Sequence, residues 1–524
     1  MAKSFMQKNS LMTVFDVTGV PSFNEFYNLG IYPWKMVYRG YLPEWHVVSD
    51  RSIAHPDAKR KLFRMNTAKA VCSEVANLVW AEGSAITVNQ NNWNGEGTDP
   101  LNAFIQHVME KNSLNTKMRQ LIEESMALGG ATVKVYVDGE KDKNGNIIDG
   151  TAQVKLAYGM ADKFIPLSWD NVRITEGVFI EKRAKNGMYW TRLEFHKWNG
   201  TEYVVSNEYY KTDRPPMGNT SQDILGIRSP MAELWAGLSD SVSFNYLQLG
   251  LFTYFRTCMA NNLDDNSPLG ISLYANSMDT LKALDVAFDS LAMEMKLGRK
   301  RIIVPASAVR SVRDTKGFEH RYFDAEDVVY EAFYADSNEQ LKIQDNTVEL
   351  RIDEHIRAIN ALLDILSFQI GLSEGALSFD KGKGIKTATE VISENSKTFR
   401  TVKLMQKPIQ KSIEELIDEI IDIACAYDVV FSFEGKDYNV YDLVKDGYHT
   451  VVSFDDSIIQ DRDAEKAQGM RDVQNGVLSK KSYMIKYMGM TEEEADAELE
   501  KIQAESKLMA SARVLDIDWS NMEV

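Results

Sequence analysis

Two long amphipathic stretches, separated by a basic excursion and followed by a third, constrain this chain more than any other feature. Leu281, Leu284, Phe288, Leu291 and Met295 alternate three and four residues apart, which places them on one stripe of a helix. Val348, Ile352, Ile356, Ile359, Leu363, Leu366 and Ile370 repeat the pattern over a rise of about 33 Å. A third seam joins Phe399, Val402, Ile409, Ile413, Leu416, Ile420 and Ile423, with Pro408 inside it. Proline removes a backbone donor, so a single kinked helix is expected there. Each seam requires a partner, and for the first two no intrachain partner of sufficient size is evident.

The rest of the chain alternates between the two periodicities. Leu62, Met65, Ala68, Val71, Cys72, Val75 and Leu78 predict a helix ending near Gly83, and a second is predicted from about Leu101 to Leu128, stopped by Gly129 and Gly130. ATVKVYVDG and TAQVKLAY alternate with period two around an Asn-Gly pair, which signals a hairpin. Strands are expected near Ile165 and over Ile174 to Glu181, Tyr189 to Lys197 and Tyr203 to Tyr209. Residues 1–55 hold Trp34, Tyr38, Tyr41 and Trp45 beside Pro33 and Pro43, and read as an irregular arm that packs on something larger. After Asp428 short strands give way to charged helices, broken at Gly476 and Thr491. Thr491 and Glu494 have the spacing of a capping box. The fold class is therefore α+β, mainly helical.

At 524 residues the chain can bury a sizeable core and exceeds one ordinary domain. No uncharged apolar run approaches the roughly 18 residues of a membrane span, and the N-terminus lacks the apolar core of a signal peptide, so an intracellular origin and no membrane partner are expected. Cys72, Cys258 and Cys425 are isolated in apolar, helix-like contexts and read as buried free thiols.

The net charge of −17 is uneven. Residues 412–524 hold 26 acidic and 11 basic side chains, which argues against a broadly basic nucleic-acid surface. Two local basic patches remain: Arg299, Lys300, Arg301, Arg310, Arg313, Lys316 and Arg321 between the first two seams, and Lys381, Lys383 and Lys386 in a glycine-rich loop.

Sites for metal, cofactor or catalysis are not evident. In the loop from Gly371 to Thr387, Gly382-Lys383 is followed by Gly384 where a phosphate loop needs Ser or Thr. Glu140, Asp142, Asn144 and Gly145 partly match a calcium loop, but position twelve is Thr151, and a hairpin turn explains them more simply. The histidines never fall at zinc-ligand spacing, and no nucleophile elbow occurs. Acid pairs such as Asp264-Asp265 leave a metal-dependent nuclease or motor subunit as one alternative, and a scaffold or minor capsid component as another.

Several separated segments are familiar in order: RMNTAKAVCSEVANLVWAEG (64–83), MALGGATVKVYVDG (126–139), NNLDDNSPLGISLYANSMDTLKALDVAFDSL (261–291), KRIIVPAS (300–307) and FDKGKGIKTATEVISENSKTF (379–399). Over about residues 60–430 the chain resembles the portal proteins of tailed bacteriophages, in the siphophage group infecting Gram-positive bacteria. The resemblance implies a non-enzymatic ring, usually of twelve subunits, at a unique capsid vertex. Through it double-stranded DNA is packaged by a separate terminase, retained, and later ejected; further implied partners are a head-completion adaptor and the major capsid and scaffold proteins.

On that plan residues 1–55 are an arm, 56–270 the wing, 271–297 and 347–370 the stem helices, and 298–346 the clip between them. Residues 371–387 are the tunnel loop, 388–428 a long kinked wing helix, and 429–524 an acidic crown and C-terminal tail. The implied DNA contacts are Lys381, Lys383 and Lys386 in the loop. The basic residues from Arg299 to Arg321 serve the clip, and Asp285 and Asp289 line the stem wall, where they keep it from gripping phosphates.

Overall fold

A computed structural model describes residues 12–49, 58–93, 97–142, 147–148, 150–171, 173–230, 233–235, 237–298, 349–379, 395–455, 462–488, 490–491 and 494–502, with the backbone of five short strands between 302 and 345. The chain forms two compact units, Met1–Lys383 with Lys397–Phe454, and Gly384–Ser396 with Asp455–Val524.

In the first unit, helix α1 (Thr67–Val79) buries Ala68, Val71, Cys72, Val75, Ala76 and Val79, whereas Leu62 and Met65 of the expected stripe precede the helix and Leu78 is half-buried. Strand β1 (Ala85–Gln90) follows. The single helix expected over Leu101 to Leu128 is two helices, α2 (Pro100–Lys111) and α3 (Leu114–Leu128). Asn112 holds the break. Its amide donates to the Val108 and Val154 carbonyls at 2.8 and 3.0 Å, its Oδ1 accepts from the Leu156 N–H at 3.0 Å, and Ser113 takes φ +54°. At its N-terminus α2 is capped by Asp99, which accepts from the Leu101 N–H at 2.8 Å. Gly129 ends α3 at φ +84°, and a Cβ there would lie 2.3 Å from the Gly270 carbonyl oxygen, so only glycine fits.

The expected hairpin forms from β2 (Gly130–Asp138) and β3 (Gln153–Met160), paired antiparallel from Ala131↔Met160 to Asp138↔Gln153. A second sheet is a meander of β4 (Phe164–Asp170), β5 (Arg173–Lys185), β6 (Met188–Asn199) and β7 (Glu202–Thr212). Two short strands, β8 (Ile227–Ser229) and β9 (Ser241–Phe244), both pair with β7. Strand β10 (Phe252–Arg256) completes the first sheet beside β2. Cys258, just beyond β10, is exposed and non-helical, correcting the buried-helix reading, whereas Cys72 is buried and Cys425 partly so.

The N-terminal segment is not irregular. It folds as short helices at Val14–Thr18, Phe23–Phe26, Tyr27–Ile31, Tyr32–Tyr38 and Pro43–His46. Their aromatic residues Phe15, Phe23, Phe26, Tyr27 and Trp34 are buried. The larger object they pack on is the chain itself: the Tyr274 hydroxyl donates to the Trp34 carbonyl at 2.8 Å, and the Tyr27 hydroxyl to that of Phe164.

Helices α4 (Met278–Leu297), α5 (Ile352–Ile370) and α6 (Ser396–Ala426) are the three long seams. Pro408 lies inside α6 without ending it, near the exposed side chain of Leu404, on whose side water can serve the carbonyl that proline leaves without a donor. Strand β11 (Tyr448–Ser453) pairs antiparallel with β1, so the first unit extends past the composition shift at Asp428 to Phe454.

The second unit contains helices Arg462–Gln474 and Lys480–Met488, with Gly476 at φ +73° between them. The capping box is present: the Thr491 N–H donates to Glu494 at 2.9 Å and the Glu494 N–H to the Thr491 hydroxyl at 3.3 Å. Thr491→Ala is expected to cost about 1 kcal/mol, read as faster amide exchange over residues 494–500 with no change in the first unit.

Candidate functional site

Helices α4 and α5 form an antiparallel hairpin. At one end the Thr280 hydroxyl donates to the Gln369 side chain at 2.9 Å. At the other, Arg351 grips Glu294 through Nη2 at 3.0 Å and Nε at 3.2 Å, with His355 Nε2 at 3.9 Å from the same carboxylate. The two seams are thus partners of one another, correcting the expectation that neither has one within the chain. That partnership is incomplete. Leu281, Leu284, Ile359, Leu363, Leu366 and Ile370 are buried, whereas Met295 is 50% and Ile356 37% exposed toward the Glu294 end. Val286, Ile365 and Phe368 also remain outward, Phe368 at 69%. Each helix spans about 30 Å at 1.5 Å per residue, and these exposed apolar side chains are spread along the length of both.

Asp285 and Asp289 do not line open space. Asp289 is 5% exposed and accepts from both terminal nitrogens of Arg60 at 2.7 Å and from the Phe63 N–H at 3.0 Å. Asp285 accepts from the Met65 N–H at 2.8 Å and lies 3.0 Å from His46 Nε2. His46 Nδ1 lies 2.9 Å from both the backbone nitrogen and the carbonyl oxygen of Leu42, which fixes the ring against the turn that precedes it. The Arg60 guanidinium holds the Asp289 carboxyl below its ordinary range. Four residues apart on α4, the two acids share a face and clamp the chain entering from His46, which runs through the paired strands Val47–Ser49 and Lys59–Lys61. Both carboxylates therefore anchor the entering segment to α4 within one chain.

Beyond α5, Gly371 turns the chain at φ +84°. Ser373 and Thr398 then close the base of the following loop: the Ser373 N–H donates to the Thr398 hydroxyl at 2.8 Å, and the Thr398 N–H to the Ser373 hydroxyl at 3.2 Å. Thr401 donates to the Gly371 carbonyl at 2.7 Å, while Asp364 and Asn360 of α5 accept from the Gly375 and Phe379 N–H groups. The loop is therefore fastened where it leaves and returns. Lys381, Lys383 and Lys386 lie outside the described residues, as do Arg299, Lys300, Arg301, Arg310 and Lys316. Arg313 and Arg321 end two paired strands, with Arg313 opposite Glu319 and Arg321 opposite Ser311. The expected strand near Arg301 to Val304 forms at Ile302–Pro305, parallel to Tyr330–Phe333 and antiparallel to Gln344–Asp345. The other, expected at Leu341 to Ile343, falls outside the described residues.

A helical hairpin interrupted by a small sheet, followed by a clasped loop and one long helix, is a distinctive chain order. Residues 34–510 match the family model described as Phage portal protein, SPP1 Gp6-like. The chain belongs to this family. No curated protein matches it. The SPP1 Gp6-like portal family is structural and non-enzymatic, and membership implies an oligomeric ring associated with capsid and packaging components at a virion capsid vertex. Among the described residues no helix is long and apolar enough to cross a membrane, and no group of three or more His, Cys, Asp or Glu is placed to hold a metal.

The supports of the portal hairpin, His46, Arg60, Glu294, Arg351, Ser373 and Thr398, escaped the sequence reading. The one available signal was the i, i+4 pair Asp285 and Asp289 inside an apolar helix, a position where ionised carboxylates require cationic partners.

Proposed function

We propose that this chain is the portal subunit of a siphophage infecting a Gram-positive host, and that twelve copies close into a ring through which double-stranded DNA enters and leaves the head. The exposed apolar side chains of the α4–α5 hairpin carry the reading: Val286, Met295, Ile356, Ile365 and Phe368 are left without full cover by the described residues, and identical hairpins side by side supply it. The hairpins form the wall of the DNA channel, and the segment 298–346 between them is the clip that meets the terminase and later the head-completion adaptor. The β4–β7 sheet and its surroundings form the wing that contacts capsid and scaffold proteins. Residues 429–524 form the crown and tail, and the grouping of residues 455–524 in the second compact unit supports that reading.

The loop 371–387 is the tunnel loop. Its base is fastened, and its lysines Lys381, Lys383 and Lys386 are the groups assigned to meet phosphates one at a time. A conduit requires weak contact, because each retained phosphate–lysine pair adds affinity that brakes translocation. Replacing the three lysines with alanine is expected to leave ring assembly intact while changing the length of DNA packaged or its retention. Packaging assays on heads assembled with the triple variant read both quantities, and unchanged values would remove the loop from the mechanism. ATP- or magnesium-dependent DNA cleavage by the purified protein would instead favour an enzyme.

A further inference from the structure

Alternate residues of β6, namely Trp190, Arg192, Glu194 and His196, share one face of the wing sheet. On that face Glu194 accepts from Lys134 of β2 at 2.6 and 2.7 Å, from Arg192 at 2.7 Å and from His196 Nε2 at 3.1 Å. The remaining His196 nitrogen lies 2.9 Å from the Tyr203 hydroxyl, which accepts from the Leu251 N–H at 3.1 Å. The Glu194 carboxylate is fully engaged, but other polar atoms on this face are not. Arg192 Nε, the Tyr209 hydroxyl and Trp235 Nε1 are buried without any hydrogen-bond partner, and Tyr209 and Trp235 are each only 3% exposed. They lie together: Arg192 is paired across the strands with Tyr209, whose ring is centred 5.5 Å from that of Trp235. Orphaned donors at this depth cost stability unless an acceptor arrives.

Arg192 and Trp235 both line a cleft of about 620 Å³ between the two sheets, a volume suited to a small organic ligand. Leu238, Val242, Phe244 and Tyr427 give it apolar walls, and on its lining the cations Lys134, Lys141, Arg183 and Arg192 outnumber the carboxylates Glu181 and Glu194, the Arg183 guanidinium lying 5.1 Å from the Trp235 ring centre. We propose that this cleft binds a small organic acid, its carboxylate accepting from Arg192 Nε and Trp235 Nε1 and its apolar body filling the space toward Leu238 and Phe244. Surplus donors beside apolar walls select a carboxylate over a neutral molecule of the same shape.

Isothermal titration of the full-length protein with phenylbutyrate, and with phenylbutanol as its neutral counterpart, tests the assignment. Phenylbutyrate should bind saturably and about tenfold tighter than the alcohol. Trp235→Phe keeps the ring but removes the donor, and should weaken the acid about tenfold while leaving the alcohol unchanged. Arg183→Gln, at the partly exposed rim, should weaken the acid severalfold and covers the case in which the Trp235 variant fails to fold. Absence of binding by either probe, equal binding of both, or unchanged acid affinity in the folded variants would overturn the proposal.

Discussion

Replacing Asp289 with alanine is expected to lower the stability of the first unit by about 3 kcal/mol. Removing one partner of a fully buried ion pair costs roughly 3–5 kcal/mol. Arg60 keeps 29% of its side chain in solvent, which places the expectation at the lower end. The loss is compound, because the Phe63 N–H also loses its acceptor. Asp289→Asn keeps that acceptor while removing the charge, so it should fall between wild type and alanine. Denaturation of the three proteins reads the order, and amide exchange at Phe63 and Met65 shows whether the entering chain has come away from α4.

The pH dependence of the Asp289 effect has a definite sign. Because its folded-state pKa is depressed, its contribution is complete above the unfolded value of about 3.9 and is lost as pH falls through the lower folded value. The gap between wild type and alanine should therefore be constant at neutral pH and close only in strong acid. A gap that stayed constant into strong acid would mean that Asp289 acts through packing and not through its charge.

Replacing Glu419 with leucine is expected to do the opposite and raise stability by about 2 kcal/mol at neutral pH. Glu419 is 1% exposed on α6, beside the Thr253 hydroxyl and with no ion-pair partner among the described residues. Burial pushes its pKa well above the ordinary range, with the neighbouring Glu415 adding to the shift. A carboxyl raised in the folded state stabilises the fold fully only below its unfolded pKa, about 4.3, and that contribution is lost as pH rises toward the folded value. Wild type should lose stability over that window, and Glu419→Leu should lose less. Asp418 and Asp422 on the same helix are also raised by burial, so a residual slope is expected in the variant. A variant less stable than wild type at pH 8 would contradict the assignment of Glu419 as a neutral acid without an ion-pair partner. Replacing a buried polar group with an apolar one of similar volume is often stabilising.

What could be read from residues alone was local. The seams of α4, α5 and α6, the β2–β3 hairpin and the Thr491–Glu494 capping box each depend on residues a few positions apart, and each is present. The break between α2 and α3 was hidden because Asn112 takes its partners at Val154 and Leu156, far along the chain, while the apolar period continues through both helices. Short helices near the N-terminus are too brief for periodicity to register, and their aromatic side chains are held by packing on the wing.

The site was legible in outline and not in its connections. The hairpin and the loop followed from pattern, but Met65 and Arg60, which Asp285 and Asp289 anchor, lie more than 200 positions earlier. On β6 the alternation of Arg192, Glu194 and His196 is a period-two signal that ordinarily marks a solvent face. Here β2 covers that face and turns it into a charged interior.

The central claim is that uncovered hairpin surfaces close a ring, and native mass spectrometry combined with negative-stain imaging of the purified protein tests it most directly. The account predicts a particle of about 710 kDa, twelve copies of a 59.4 kDa chain, with a central hole. A species that stays monomeric or dimeric at every concentration and salt tested would contradict it.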